Sequence, residues 1–105
     1  MDYSIEACTA ENGACPYQDW LASLDKKTRG RVEARILRLR MGNFGDWKAV
    51  GEGVSELRLP FGAGYHVYYE IVENRVVLLI SGGSKRTQKR DIRAAQEVWK
   101  NYQKR

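Results

Sequence analysis

The chain has 105 residues, enough for one domain with a single core and too few for a second. Its 18 Lys and Arg against 13 Asp and Glu leave a formal charge of +5, which implies an acidic partner; nucleic acid is the usual candidate, with a membrane surface or an acidic protein as rivals. The first six residues hold neither a basic nor an apolar targeting stretch, and the longest aliphatic run, Val76 to Ile80, is far too short to span a bilayer, so a cytoplasmic protein is expected.

Tyr3 to Cys8 reads as a first strand, followed by a loop, Thr9 to Ala14, with an Asn12-Gly13 turn signal. Cys8 and Cys15 are too few for a disulfide scaffold, and with a single histidine in the chain they cannot complete a zinc site. Reduced thiols are expected, a regulatory disulfide across the turn being the alternative. Pro16 suits the first position of a short helix whose core face is Tyr17, Trp20, Leu21 and Leu24. Asp25 is the N-cap of a second helix, Lys26 to Met41, with Val32, Ile36 and Leu39 as its buried stripe and Gly42 as its terminator. That helix carries Lys26, Lys27, Arg29, Arg31, Arg35, Arg38 and Arg40 against one acid, Glu33; such a face either is simply solvated or binds phosphate or an acidic segment.

Asn43 to Gly53 is a glycine-punctuated connector leading into three strand-like runs. In Gly53 to Pro60, Leu57 and Leu59 point one way while Val54, Glu56 and Arg58 point the other. In Tyr65 to Ile71, Tyr65, Val67, Tyr69 and Ile71 share one face and His66, Tyr68 and Glu70 the other. The intervening Phe61-Gly62-Ala63-Gly64 fits a hairpin turn, so antiparallel pairing brings His66 to the face of Arg58. Arg75 to Ile80 is continuously apolar and reads as a strand covered on both faces, ending in a flexible charged turn, Ser81 to Arg86. The last helix, capped by Thr87 or Ser84, buries Ile92, Ala95, Trp99 and Tyr102.

The order β-α-α-β-β-β-α implies one α+β domain over residues 1–105: a mostly antiparallel twisted sheet with the two N-terminal helices on one face, and a C-terminal helix. Segregation of the helices to one face would leave the other, bearing Arg58, His66 and nearby Lys85, as a cationic site open to a ligand.

Five stretches in this order resemble the RelE/ParE superfamily of toxins from toxin–antitoxin modules, most closely the branch called addiction module killer proteins. They are Tyr17 to Leu21, Gly42 to Lys48, Gly53 to Arg58, Gly62 to Tyr68, and Leu78 to Gln88 with Asp91-Ile92. The resemblance implies a RelE-like fold and an inhibitor of translation that cleaves mRNA, commonly on the ribosome, without a metal or organic cofactor. It also implies silencing by a cognate antitoxin with a DNA-binding, helix-turn-helix domain, through which alone operator DNA is reached; no membrane is involved. The reaction is attack of a ribose 2′-OH on the adjacent phosphate, which needs a base, cations for the phosphorus charge and an acid at the leaving 5′-oxygen.

For that chemistry the catalytic candidates are His66 for proton transfer, Arg58 for the phosphate, and Lys85 as a second cation or, if desolvated, a base. Lys48, Arg86 and Arg90 are candidate contacts to the RNA backbone, and Tyr68 a candidate stacking platform for a base. Each has a structural alternative, such as Arg58 pairing with Glu56 or Glu70 on its own sheet face. The chain departs from the branch at two positions: His66 stands where Arg is usual, and Ser84 where Asp is usual. Two other functions compete: a ParE-like toxin that poisons DNA gyrase by binding it, and a catalytically silent, phage-derived binding module.

Overall fold

Alternation along the strands sends residues to opposite faces of one sheet, and helices cover both faces. In the computed structural model, which describes residues 2–104, the chain runs β1 (Ser4–Ala7), α1 (Pro16–Ala22), α2 (Lys26–Leu37), β2 (Trp47–Gly51), β3 (Val54–Leu59), β4 (Tyr65–Val72), β5 (Val76–Ser84) and α3 (Gln88–Gln103). The strand order is β1-β5-β4-β3-β2; β1 lies parallel to β5 and the other pairs are antiparallel. The α+β class and mostly antiparallel sheet are as the sequence indicates, with one strand more.

The first core forms on the face of α1 and α2. Pro16 opens α1, and Tyr17 and Leu21 are buried with Trp20 and Leu24 packed beside them. The Asp25 carboxylate accepts the Thr28 N–H at 3.2 Å and so caps α2. Beyond Leu37 the helix tightens into a 3-10 turn, Arg38–Met41, and stops at Gly42, whose φ of +81° suits a residue without a Cβ. Val32, Ile36 and Leu39 meet Leu57, Leu59, Val67 and Val77 from the sheet. Full burial of such side chains is worth about 1.5–3 kcal/mol each.

The opposite face is not open. Ala95 and Trp99 of α3 pack on Val54, Tyr68, Leu78 and Ile80, with Ile92 and Tyr102 alongside, so the expected segregation of helices to one face is corrected. The apolar stripe of α3 would otherwise face water, and the central strands offer it a second apolar surface. Covering of β5 on both faces is as read from its continuous apolar run.

Two loop expectations are also corrected. The connector after Gly42 contains β2, an edge strand pairing with β3 that buries little and leaves Trp47 about half exposed. The stretch Ser81 to Ser84 is not a flexible turn but the end of β5. Gly82 and Gly83 lie there because neighbours press on the strand from both sides: a Cβ on Gly82 would meet the Trp20 ring, and one on Gly83 the Asp91 carboxylate. Thr87 occupies the N-cap of α3, yet neither it nor Ser84 caps with its side chain; the Thr87 hydroxyl donates to Asp91 instead. Cys8 and Cys15 are not joined in a disulfide. Among the described residues no helix is long and apolar enough to cross a membrane.

Candidate active site

Pairing of β3 with β4 places Arg58 opposite His66, and pairing of β4 with β5 places His66 opposite Gly83. The chain leaves β5 at Ser84, and the Lys85 N–H donates to Gly64 O at 2.9 Å, which ties this corner to the β3–β4 turn. Arg58, His66 and Lys85 consequently line one cavity of about 200 Å³, together with Tyr65 and Gln88. The three residues singled out from the sequence are brought together.

They do not sit at one depth. The Arg58 side chain is 53% exposed, and its Nε lies 3.6 Å from the exposed Asp46 carboxylate rather than near Glu56 or Glu70. An ion pair so exposed is worth at most about 1 kcal/mol, so the guanidinium remains available to another anion. Lys85 is exposed and is not desolvated beside Arg58.

His66 lies beneath them, only 4% exposed. Its Nε2 is 3.3 Å from Glu56 Oε1, and Gln88 Nε2 donates to both Glu56 oxygens at 2.9 and 3.2 Å. The other ring nitrogen, Nδ1, is buried without a hydrogen-bond partner among the described residues. Burial holds the His66 pKa below its ordinary 6.5 against the pull of Glu56, while Arg58 and Lys48 push it further down and Asp91 opposes them. Proximity to Glu56 alone would favour imidazolium; burial outweighs it and the neutral ring prevails.

Glu56, 1% exposed, and Gln88 are therefore parts of the site that sequence reasoning missed. The available signal was alternation, which puts Glu56 on the face of Arg58 and His66. Its burial depends on α3, which delivers Gln88 from a remote stretch of chain.

Tyr68 is corrected. It is fully buried under α3, stacked on the His66 ring at 6.5 Å, and presents no face to a nucleobase. Lys48, Arg86 and Arg90 are exposed, as substrate contacts must be. Lys48 stands opposite Glu56 on β2. Arg86 and Arg90 share a cleft of about 520 Å³ with Lys85, Lys89 and Arg93 at the start of α3. On the other side of Arg58 a cleft of about 450 Å³ is lined by Arg31, Arg35, Arg38, Asp46 and Phe61. Arg35 is committed there to structure, donating to Asn43 O at 3.3 Å and Phe44 O at 2.6 Å.

No protein-family model matches the chain. A Haemophilus influenzae protein (strain ATCC 51907 / DSM 11121 / KW20 / Rd), described as uncharacterized, is 42% identical over 80 residues, which span 75% of this chain and 81% of that protein. A solved structure of the E. coli toxin RelE, a double arginine-to-alanine mutant in the free state, superimposes with a TM-score of 0.66 at 16% identity, covering 91% of this chain and 95% of that one. The fold is RelE-like.

Proposed function

This chain belongs to the same family as that Haemophilus influenzae protein and has a RelE-like fold, and from this premise we propose that it is a toxin of the addiction module killer branch that inhibits translation by cutting mRNA. The observation that carries the reading is the single cavity lined by Arg58, His66 and Lys85, flanked by basic clefts.

The proposed chemistry uses side chains alone. The 2′-oxygen of a ribose attacks the adjacent phosphorus, the 2′-O–P bond forms and the P–5′-O bond breaks, leaving a cyclic phosphate and a free 5′-hydroxyl. Arg58, permanently charged and able to bond two phosphate oxygens at once, stabilises the charge that builds on phosphorus. Lys85 adds a second cation beside it. His66, neutral in its buried seat, accepts the 2′-hydroxyl proton and returns a proton to the 5′-oxygen. Lys48, Arg86 and Arg90 hold the RNA backbone on either side. A cognate antitoxin with a helix-turn-helix domain would silence the toxin by covering this cationic face, and the ribosome would present the mRNA.

One observation favours a second reading. Both nitrogens of His66 are turned inward, Nε2 to Glu56 and Nδ1 into the interior, as suits a ring that builds the sheet rather than one that moves protons. Under that reading the chain is a binding toxin, directed at DNA gyrase or another target, or a silent binding module.

Induced expression of wild type, Arg58→Ala and His66→Gln in a bacterium, with growth followed and mRNA 5′ ends mapped, tests the choice. Growth arrest with new mRNA ends that both substitutions abolish is the expected result; arrest with intact mRNA would overturn the nuclease reading in favour of a binding target.

A further inference from the structure

The three basic clefts form one series. Arg58 lines both the α2-side cleft and the central cavity, and Lys85 lines both the central cavity and the cleft at the start of α3. A path from Arg38 past Arg31 and Arg58 to Lys85 and Arg90 is therefore continuous, with the reacting residues midway. On the α2 side Arg31 and Arg38 are exposed, while Arg35 is spent on the loop carbonyls. The Arg31 guanidinium lies 4.2 Å over the Phe61 ring. Among the described residues Asp46 is the one acid lining this cleft, and it sits on Arg58 through an exposed contact.

We propose that the α2-side cleft is a second RNA-binding subsite, in which Arg31 and Arg38 take backbone phosphates, the Arg31–Phe61 pair takes a base, and a phosphate displaces Asp46 from Arg58. The inference rests on the reading of the chain as an RNA-cutting toxin and extends it, since the single strand then crosses the whole cationic face rather than ending at the cavity. Phosphate neutralisation by exposed arginines is the strongest sequence-independent contribution to nucleic-acid binding. A guanidinium over an aromatic ring offers the flat, electron-poor surface on which an unpaired base stacks. Asp46 holds the place of the phosphate in the free protein, and its backbone oxygen accepts the Arg58 N–H at 2.9 Å whatever its side chain carries.

The test is fluorescence anisotropy of the full chain with a labelled single-stranded RNA of about 12 nucleotides, fully 2′-O-methylated so that it cannot be cut, across a salt series. Arg31→Gln with Arg38→Gln should reduce the slope of log affinity against log salt by about 1.4, or about 0.7 per phosphate released. Asp46→Asn should move affinity the opposite way, tightening it up to about fivefold by freeing Arg58. Phe61→Leu should weaken binding while leaving the salt slope in place. A slope unchanged by the double substitution, with Arg58→Ala still reducing it, would overturn this inference alone. No binding of the RNA by the wild type at low salt would overturn this inference, while the RNA-cutting reading stands or falls separately on the mRNA 5′ ends mapped in the cell.

Discussion

Acidifying the protein from about pH 7.5 to about 5.5 should loosen it through His66. Unfolded, the ring titrates near its ordinary 6.5; folded, burial lowers the value, with Arg58 and Lys48 pushing the same way and Glu56 and Asp91 opposing. Between the two values the unfolded chain carries a proton that the folded chain does not, so unfolding takes up a proton and acid favours it. The contribution is fully present above about pH 6.5 and is lost as pH falls through that value toward the folded one, at a rate of at most about 1.4 kcal/mol per pH unit. Against a total of about 5–15 kcal/mol for a domain, such a change is easily read. The comparison is His66→Gln, which keeps a donor for Glu56 but cannot titrate, so carboxylate effects common to both proteins cancel. Urea unfolding followed by tryptophan fluorescence at each pH should show the wild type losing stability relative to the glutamine variant on acidification. A wild type that gains stability over the variant would refute the reasoning, because the attraction of Glu56 would then dominate and the buried ring would be imidazolium.

Glu56→Ala should cost about 1–3 kcal/mol in the same assay at neutral pH, because it leaves the buried His66 Nε2 and the partly buried Gln88 amide without their acceptor. An effect below about 1 kcal/mol would mean that water reaches the pair. Gly82→Ala should destabilise by about 1–3 kcal/mol, since the added methyl must push the Trp20 ring off β5; thermal denaturation reads it as a drop of several degrees.

Much of the fold was legible because its signals are local. Asp25 caps, Gly42 terminates and Phe61 to Gly64 turns the β3–β4 hairpin through short-range geometry, and alternation in β3 and β4 correctly put Arg58 and His66 on one face. What escaped depends on distant partners. β2 has one partly buried residue, Val50, and so carries no apolar alternation; only its pairing with β3 makes it a strand. Gly82 and Gly83 read as a turn by composition, yet Trp20 and Asp91, from opposite ends of the chain, make them the places where a strand must be thin. The apolar stripe of α3 showed that the helix covers something but not which face, and that one ambiguity decided the fate of Tyr68, Glu56 and His66 together.

The placement of α3 also explains why a site of mixed depth is workable. It buries Glu56 beneath cations and supplies Gln88 to bond both carboxylate oxygens, so the acid is held by neutral donors, the Gln88 amide and the neutral His66 ring, and needs no pairing with Arg58. Among the described residues Arg58 has Asp46 as its one acidic partner, an exposed contact that holds it weakly. Had Glu56 been exposed on the same face, two residues from Arg58 along β3, its carboxylate would have competed with an incoming anion for the guanidinium. The buried layer thus keeps Arg58 and Lys85 available to an anion from solution, with the His66 ring lying beneath them.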